Sequence, residues 1–297
     1  MASLKNRSQQ KLLDAINERV QEFRDYVPTV AIFGDSGAGK SSLCNAIFGK
    51  DVAEISDVEA CTREPQDFLL NNADYGGIRL LDVPGVGEDP GRQVEYIKLY
   101  KKLLPKIDLV LWVLKSDSRN YHSAIEAYSA VFGGRKNAPP VIFVLTQVDK
   151  ISPAAEFDYK KFEPSGSQYE NILKKQDDVW RLFKGVGSVI SVAIEERKYR
   201  KNYNLIGLVD LIVEVLPNEK KYSITREAND VVVSSEARFG AEKGIWDAVK
   251  EMAGDAWDVV KERASEIIIG TIAAKVQKIV APFVVAAAKS VFKIFGL

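Results

Sequence analysis

Histidine occurs once in the 297 residues, at His122, and cysteine only twice, at Cys44 and Cys61. Neither cysteine belongs to a C-x-x-C pair, which excludes a disulfide framework and argues against a thiolate metal site. The pattern fits a reducing, cytoplasmic compartment. Net charge is missing too: 41 Lys+Arg balance 41 Asp+Glu. A chain devoted to gripping nucleic acid is usually basic, so nucleic acid is not the expected partner. The opening MASLKNRSQQKLLDAINERV has no apolar core of a secretory signal. No run of 18 or more uncharged apolar residues offers a simple membrane span. With 46% apolar and 28% charged residues, the composition is that of an ordinary globular protein. The length suits one large α/β domain with extra helices, or two modest domains.

Residues 3–26 read as a charged amphipathic helix, with Leu4, Leu12, Leu13, Ile16, Val20 and Phe23 near helical spacing and Pro28 closing it. Thr29–Phe33 is then a continuous apolar run, as expected of a strand buried on both faces. Similar runs at 78–81, 109–114, 141–145 and 188–193 alternate with helical patterns near 40–48, 92–104, 119–132, 168–184 and 204–216. That alternation predicts an α/β fold with a mostly parallel sheet. Segments 66–71 and 77–82, joined around Tyr75-Gly76-Gly77, predict one antiparallel hairpin. Past Pro217 strand signals cease, and 222–297 reads as about three helices. The expected organisation is an N-terminal helix (1–26), an α/β domain (27–217) and a helical domain (218–297) that packs with the first helix.

Gly34-Asp35-Ser36-Gly37-Ala38-Gly39-Lys40-Ser41 matches G-x-x-x-x-G-K-[ST], between a strand and a helix. Glycines let backbone N–H groups turn inward around phosphates, and the helix N-terminus adds partial positive charge. Lys40 would reach the β- and γ-phosphates and the Ser41 hydroxyl would bind Mg²⁺. The expected nucleotide contacts here are Asp35, Ser36, Gly37, Ala38, Gly39, Lys40, Ser41 and Ser42.

Asp82-Val83-Pro84-Gly85 ends an apolar strand about forty residues on. Asp82 can hold Mg²⁺ through water and the Gly85 N–H can sense the γ-phosphate. Between the two lies Thr62, whose hydroxyl can complete the metal shell only while the γ-phosphate is present, which makes a switch. Thr146-Gln147-Val148-Asp149 follows VIFVL. The Asp149 carboxylate can accept from guanine N1–H and N2–H₂, a pattern adenine lacks. Gln147 offers a short aliphatic stem to the base, and the Thr146 hydroxyl can tie back to the phosphate loop. The Ser191-Val192-Ala193 amides are expected at guanine O6. GTP or GDP with Mg²⁺ is thus the expected ligand.

In order and spacing, GDSGAGKSS, CTREP, DVPG, TQVD and SVA resemble the translation-factor-like GTPases. CTREP is similar to the switch of the Era-like branch, and the wider context resembles its bacterial, often prophage-borne, YfjP-type group, over roughly residues 25–216. The resemblance implies a six-stranded Ras-like domain hydrolysing GTP at a Mg²⁺ site. It also exposes departures. Gly37 stands where many Era-like chains carry a potassium-binding Asn, and Thr146-Gln147 replaces Asn-Lys. Val86 falls where Ras-like proteins carry a water-orienting glutamine. Slow intrinsic hydrolysis follows, until a partner or a second copy across the nucleotide face completes the site. The first loop residues and T-x-V-D also resemble immunity-related and septin-like GTPases, which self-associate and often act at membranes.

Era proteins carry a KH module, which needs a G-x-x-G loop; none occurs in 217–297, so RNA binding is not carried over. From 267 to 297 the chain is strongly apolar, with Lys275, Lys278, Lys289 and Lys293 near one side of a helical wheel and Pro282 interrupting it. Two readings stay open for 264–297: the apolar faces pack on other helices, or the basic stripe makes peripheral membrane contact. His122 reads as a structural surface residue. Trp246 and Trp257, eleven apart, read as core residues on one helix face. Nothing near Cys61 marks it as reactive.

Overall fold

The computed structural model describes residues 2–35, 37–49, 66–70, 77–82, 93–118, 120–133, 137–195 and 201–276. Eight strands are described: β1 Thr29–Phe33, β2 Gln66–Leu70, β3 Ile78–Asp82, β4 Leu109–Lys115, β5 Val141–Thr146, β6 Ser188–Ser191, β7 Ala193–Ile194 and β8 Asn202–Tyr203. The helices are α1 Ala2–Asp25, α2 Lys40–Phe48, α3 Gln93–Leu103, α4 His122–Phe132, α5 Gly166–Leu182, α6 Leu205–Val215, α7 Asn218–Glu227, α8 Ser235–Ala253 and α9 Trp257–Val276. Six strands form one sheet in the order β2-β3-β1-β4-β5-β6. Five of them run parallel and β2 pairs antiparallel with β3 at the edge. This is the α/β Ras-like architecture expected from the sequence, its hairpin included; the hairpin turn at Tyr75-Gly76 lies outside the described residues.

The continuous apolar strands are explained by burial on both faces. Val30, Ile32, Leu109, Leu111 and Val113 point to one side, against α2 and α6. Ala31, Phe33, Val110, Trp112 and Leu114 point to the other, against α3, α4 and α5. There the rings of Phe33 and Trp112 stack at 5.3 Å, and those of Phe143 and Phe183 at 4.1 Å. The run expected as one strand over 188–193 is divided. Val192 gives its N–H to the last rung of the β5–β6 pairing, on Leu145 O at 2.8 Å, while its carbonyl turns away to accept from Val148 N–H at 3.4 Å. Ala193–Ile194 then pairs antiparallel with Asn202–Tyr203, a ribbon too short to carry its own strand signal.

Helix α1 buries Leu13, Ile16, Val20 and Phe23 against Ile245, Trp246 and Val249 of α8 and Val260, Ala264 and Ile268 of α9. Helix α1 therefore shares one cluster with α8 and α9. Its neighbour is continuous with the sheet, because Ile224, Ala228, Val232 and Ala237 belong to the same core as β1 and β4. Asp108 joins the layers: its carboxylate accepts from Tyr26 OH (3.0 Å) and Thr29 N–H (2.7 Å) and pairs with Lys220 (2.6 Å). Burial, then this charge, push the Tyr26 phenol above its ordinary range. Arg226 and Glu227 form a wholly buried pair at 2.6 Å, and Arg226 also donates to Arg24 O.

Trp246 and Trp257 do pack, but not on one helix. Helix α8 stops at Ala253, Gly254 takes φ 48°, and α9 starts at Trp257, so the rings meet edge-on across the break at 6.4 Å. His122 opens α4, exposed and beside Glu126 at 3.1 Å. Of the basic stripe only the backbone of Lys275 is described, in α9. Among the described residues no helix is long and apolar enough to cross a membrane. Phe23 is 1% exposed in the cluster that closes α1 on α8 and α9. Phe23→Ala is expected to cost about 3–5 kcal/mol of unfolding free energy, measured by urea denaturation followed by far-ultraviolet circular dichroism.

Candidate nucleotide-binding site

The strand order reverses at β1, and in open α/β sheets ligands bind beyond the C-terminal strand ends at such a point. There β1 leaves the sheet through Gly34. Its φ is 145°, and a Cβ would stand 2.3 Å from the Val113 carbonyl oxygen of β4, so no side chain fits. The loop turns through Gly37 and Gly39 (φ 70° and 89°) into α2. Ala38 is buried, its N–H donating to Asp35 O at 3.2 Å. Lys40 opens the helix and its ammonium donates to Gly34 O (2.9 Å) and Asp35 O (3.1 Å), so its charge lies against the loop. Ser41 and Ser42 follow in the first turn, both half-buried. Ser36 lies outside the described residues.

The second loop comes from β5. Thr146 is 3% exposed; its Oγ1 donates to Ala38 O at 2.6 Å and contacts Leu114 O at 3.3 Å. This hydroxyl ties back to the phosphate loop as its chemistry suggested. Gln147 adopts a left-handed backbone (φ 58°), its Nε2 donates to Gly37 O at 3.2 Å, and its Oε1 accepts from Lys150 at 2.7 Å. Ser116 Oγ secures the Gln147 carbonyl at 2.8 Å. Asp149 follows in the turn Val148–Lys150, half-buried, with Tyr159 OH 3.4 Å from its Oδ2. Partial burial, then the Asp149 charge, raise the Tyr159 phenol above its ordinary value.

The third segment ends β6. Asn204 Nδ2 donates to Ser191 O at 3.0 Å, and the buried Ser191 hydroxyl has no partner among the described residues. The Val192 N–H, expected at guanine O6, donates instead to Leu145 O, so the sheet has already taken that amide. Val192 still contributes: with Gly39, Ser42, Thr146, Gln147 and Ile194 it lines a cavity of about 30 Å³. A larger open groove of about 430 Å³, between Glu163–Gly166 and Asn202–Asn204, contains none of the expected site residues.

Of the metal and switch residues, Asp82 ends β3 in register with Ile32 of β1, two residues before Gly34. Thr62, Gly85, Val86 and Cys61 lie outside the described residues. Sequence reading did not single out Tyr159, Gln168 or Asn204. The first two lie ten or more residues beyond the motif, and the third follows the short ribbon, so no spacing rule points to them.

The family model described as 50S ribosome-binding GTPase matches residues 29–147. YkfA of Escherichia coli (strain K12) is 35% identical over 250 residues, covering 82% of each chain. YfjP of the same organism is 34% identical over 206 residues, 69% of this chain and 68% of that one. GTPase Era of Alkaliphilus oremlandii is 27% identical over 194 residues, 65% of this chain and 57% of Era. Among solved structures, a variant of Aquifex aeolicus Era bound to GDP·AlF4⁻ aligns over 68% of this chain and 66% of that chain, at 24% identity and a TM-score of 0.46. The motif set, the matched family model and the 35% identity across most of both chains carry one conclusion: this chain belongs to the Era-like superfamily of P-loop GTPases, in the group that includes YkfA and YfjP.

Proposed function

We propose that the chain binds GTP with Mg²⁺ and hydrolyses it to GDP and phosphate, acting as a molecular switch with slow intrinsic turnover. One observation carries the reading. Two loops far apart in sequence are bonded to each other at the strand ends: Thr146 Oγ1 donates to Ala38 O and Gln147 Nε2 to Gly37 O, which sets the turn holding Asp149 beside the phosphate loop. In this reading residues 1–26, 27–217 and 218–297 serve as helix, GTPase domain and helical domain.

The residues suit the ligand. Gly34 has no room for a Cβ, which leaves the loop backbone free to curve around phosphate oxygens. Lys40 exchanges two carbonyls for the β- and γ-phosphates, and the α2 N-terminus adds its partial charge. Asp149 accepts the two guanine donors. Ser41 and Asp82, with Thr62 in the triphosphate state, are hard oxygen donors suited to Mg²⁺. Mg²⁺ is usually held by one or two protein oxygens together with substrate phosphates and water. Bound there, Mg²⁺ would supply neutralisation of the charge that develops on the phosphates.

In hydrolysis water attacks the γ-phosphorus, the bond from that phosphorus to the β–γ bridging oxygen breaks, and GDP leaves. Lys40 and the Gly85 N–H stabilise charge as it develops. Val86 cannot orient the water, hence the slow turnover.

Steady-state GTP hydrolysis at several protein concentrations tests the reading, with ATP as control. Lys40→Ala is expected to lower turnover by at least about a hundredfold; equal activity in that variant, or equal use of ATP, would refute the assignment. Specific activity that rises with concentration assigns the missing group to a second copy across the nucleotide face. Thr146→Val removes the only described side-chain donor to the buried Ala38 carbonyl. It is expected to weaken GDP binding roughly tenfold, measured by titration calorimetry.

A further inference from the structure

A carboxylate that reads guanine must meet two N–H groups at once. Both the position of its backbone and the rotation of its carboxyl plane therefore need fixing, and the terminal Asp torsion is intrinsically broad. On the phosphate-loop side the only described tie of this turn, apart from the Thr146 bond, is neutral: Gln147 Nε2 on Gly37 O at 3.2 Å. The firmer ties come from behind and beside Asp149.

Behind it, Gln168 is wholly buried. Its Nε2 donates to Asp149 O at 3.1 Å and Ile151 O at 2.9 Å, so one side-chain amide grips the turn on both sides of Lys150. Gln168 is itself immobilised in the first turn of α5. Its N–H donates to the cap Ser165 Oγ (3.2 Å), and Ser165 and Ser167 both donate to Glu156 Oε2 (2.7 and 2.6 Å). These two hydroxyls hold the Glu156 carboxyl below its ordinary range. Asn171 Nδ2 adds a bond to Ser152 O at 3.0 Å.

Beside it, Tyr159 is 57% exposed, yet its placement is not loose. Its ring packs at 5.0 Å on Phe157 and 6.3 Å on Phe162, both buried. Lys201 Nζ donates to the carbonyls of Tyr159 and Lys160 at 3.2 Å each. The loop is closed by the Asp158–Glu163 bridge and the left-handed Phe162 (φ 62°). Core packing does not account for a phenol held at the surface with its hydroxyl 3.4 Å from Asp149 Oδ2. That contact is long for an O–H···O bond, and hydrogen bonds of ligand-free functional sites are often long and tighten when the ligand arrives.

We infer that Gln168 and Tyr159 are positioning residues for guanine specificity, Gln168 fixing the backbone of the Asp149 turn and Tyr159 the rotation of its carboxylate. The inference rests on Asp149 as the base reader, and its test keeps the two claims separate.

Hypoxanthine keeps N1–H and lacks the 2-amino group, so the ratio of GDP to IDP affinity reports the second hydrogen bond to Asp149. A carboxylate free to rotate loses that bond first, whereas a general loosening of the fold weakens both nucleotides alike. Titration calorimetry of the full chain with Mg-GDP and Mg-IDP is run on the unmodified protein, Tyr159→Phe, Gln168→Met and Asp149→Ala. The unmodified protein is expected to favour GDP and Asp149→Ala to abolish the preference. Tyr159→Phe and Gln168→Met are each expected to shrink the ratio about three- to tenfold, with IDP affinity held within about twofold. An unchanged ratio in Tyr159→Phe overturns the role of Tyr159. So does tighter GDP binding in that variant, which would make the phenol a competitor for the carboxylate. An unchanged ratio in Gln168→Met overturns the role of Gln168. If Gln168→Met does not fold, as judged by its thermal melt, Gln168→Leu replaces it: the donor is lost without burying a charge, and the same ratio decides. A preference that survives Asp149→Ala sinks the base-reading assignment itself.

Discussion

The nucleotide edge of the sheet depends on a single buried hydroxyl. Thr146 Oγ1 spans from the end of β5 to the Ala38 carbonyl in the loop after β1, although β4 lies between those strands. Strand β4 serves as spacer. Its Val113 carbonyl lies under Gly34, its Leu114 carbonyl lies 3.3 Å from the same Thr146 hydroxyl, and Ser116 just beyond it holds the Gln147 carbonyl. The gap between the two loops is thus set by strand spacing, which scarcely varies, and by one short bond in a region sealed from water. A threonine suffices for this tie, because a hydroxyl at this depth needs only one carbonyl within reach.

The helical layer is fixed by polar contacts at its seams and apolar ones within. Asp108 collects a phenol, a backbone N–H and an ammonium from three segments, so its half-buried carboxylate meets a donor from each of them. Arg226 and Glu227, with no exposure at all, lie at the seam with the end of α1. Such a pair adds little net stability, but it tolerates few alternative arrangements. Together with Ser223 on the Tyr26 carbonyl (2.7 Å), these contacts set how α7 meets the α1–β1 junction.

Much of this was legible in the sequence for identifiable reasons. The strands were visible because burial on both faces demands uninterrupted apolar runs. The phosphate loop was visible because close approach to backbone carbonyls demands glycine, as Gly34 shows. The helix 3–26 was visible through its stripe of Leu13, Ile16, Val20 and Phe23, all of which are buried. Other features were hidden. The break between Trp246 and Trp257 turns on Gly254 alone, within a pattern that keeps helical spacing on both sides. The Val192 amide could not be assigned from its motif, since its partner Leu145 is set by sheet register. Gln168 and Tyr159 meet Asp149 only through the folding of the 150–166 loop, where polar contacts follow no period.

The packing of α1 on helices more than two hundred residues downstream bears on how the protein is made. The partners of the first helix and of the residue that follows it lie far downstream: Ser223 is 197 residues from Tyr26, Glu219 is 200 from Arg19, and Arg226 is 202 from Arg24. At about 5–20 residues per second of translation, α1 waits roughly 10–40 s for them, its apolar stripe uncovered throughout. The GTPase core can form its sheet in that interval, but the Tyr26 carbonyl and the Asp108 carboxylate gain their α7 partners only when residues 220–226 arrive. The first helix is therefore covered only after residues 245–268 have been made, and the ribosome's pace sets how long a sticky amphipathic helix stays open to other proteins.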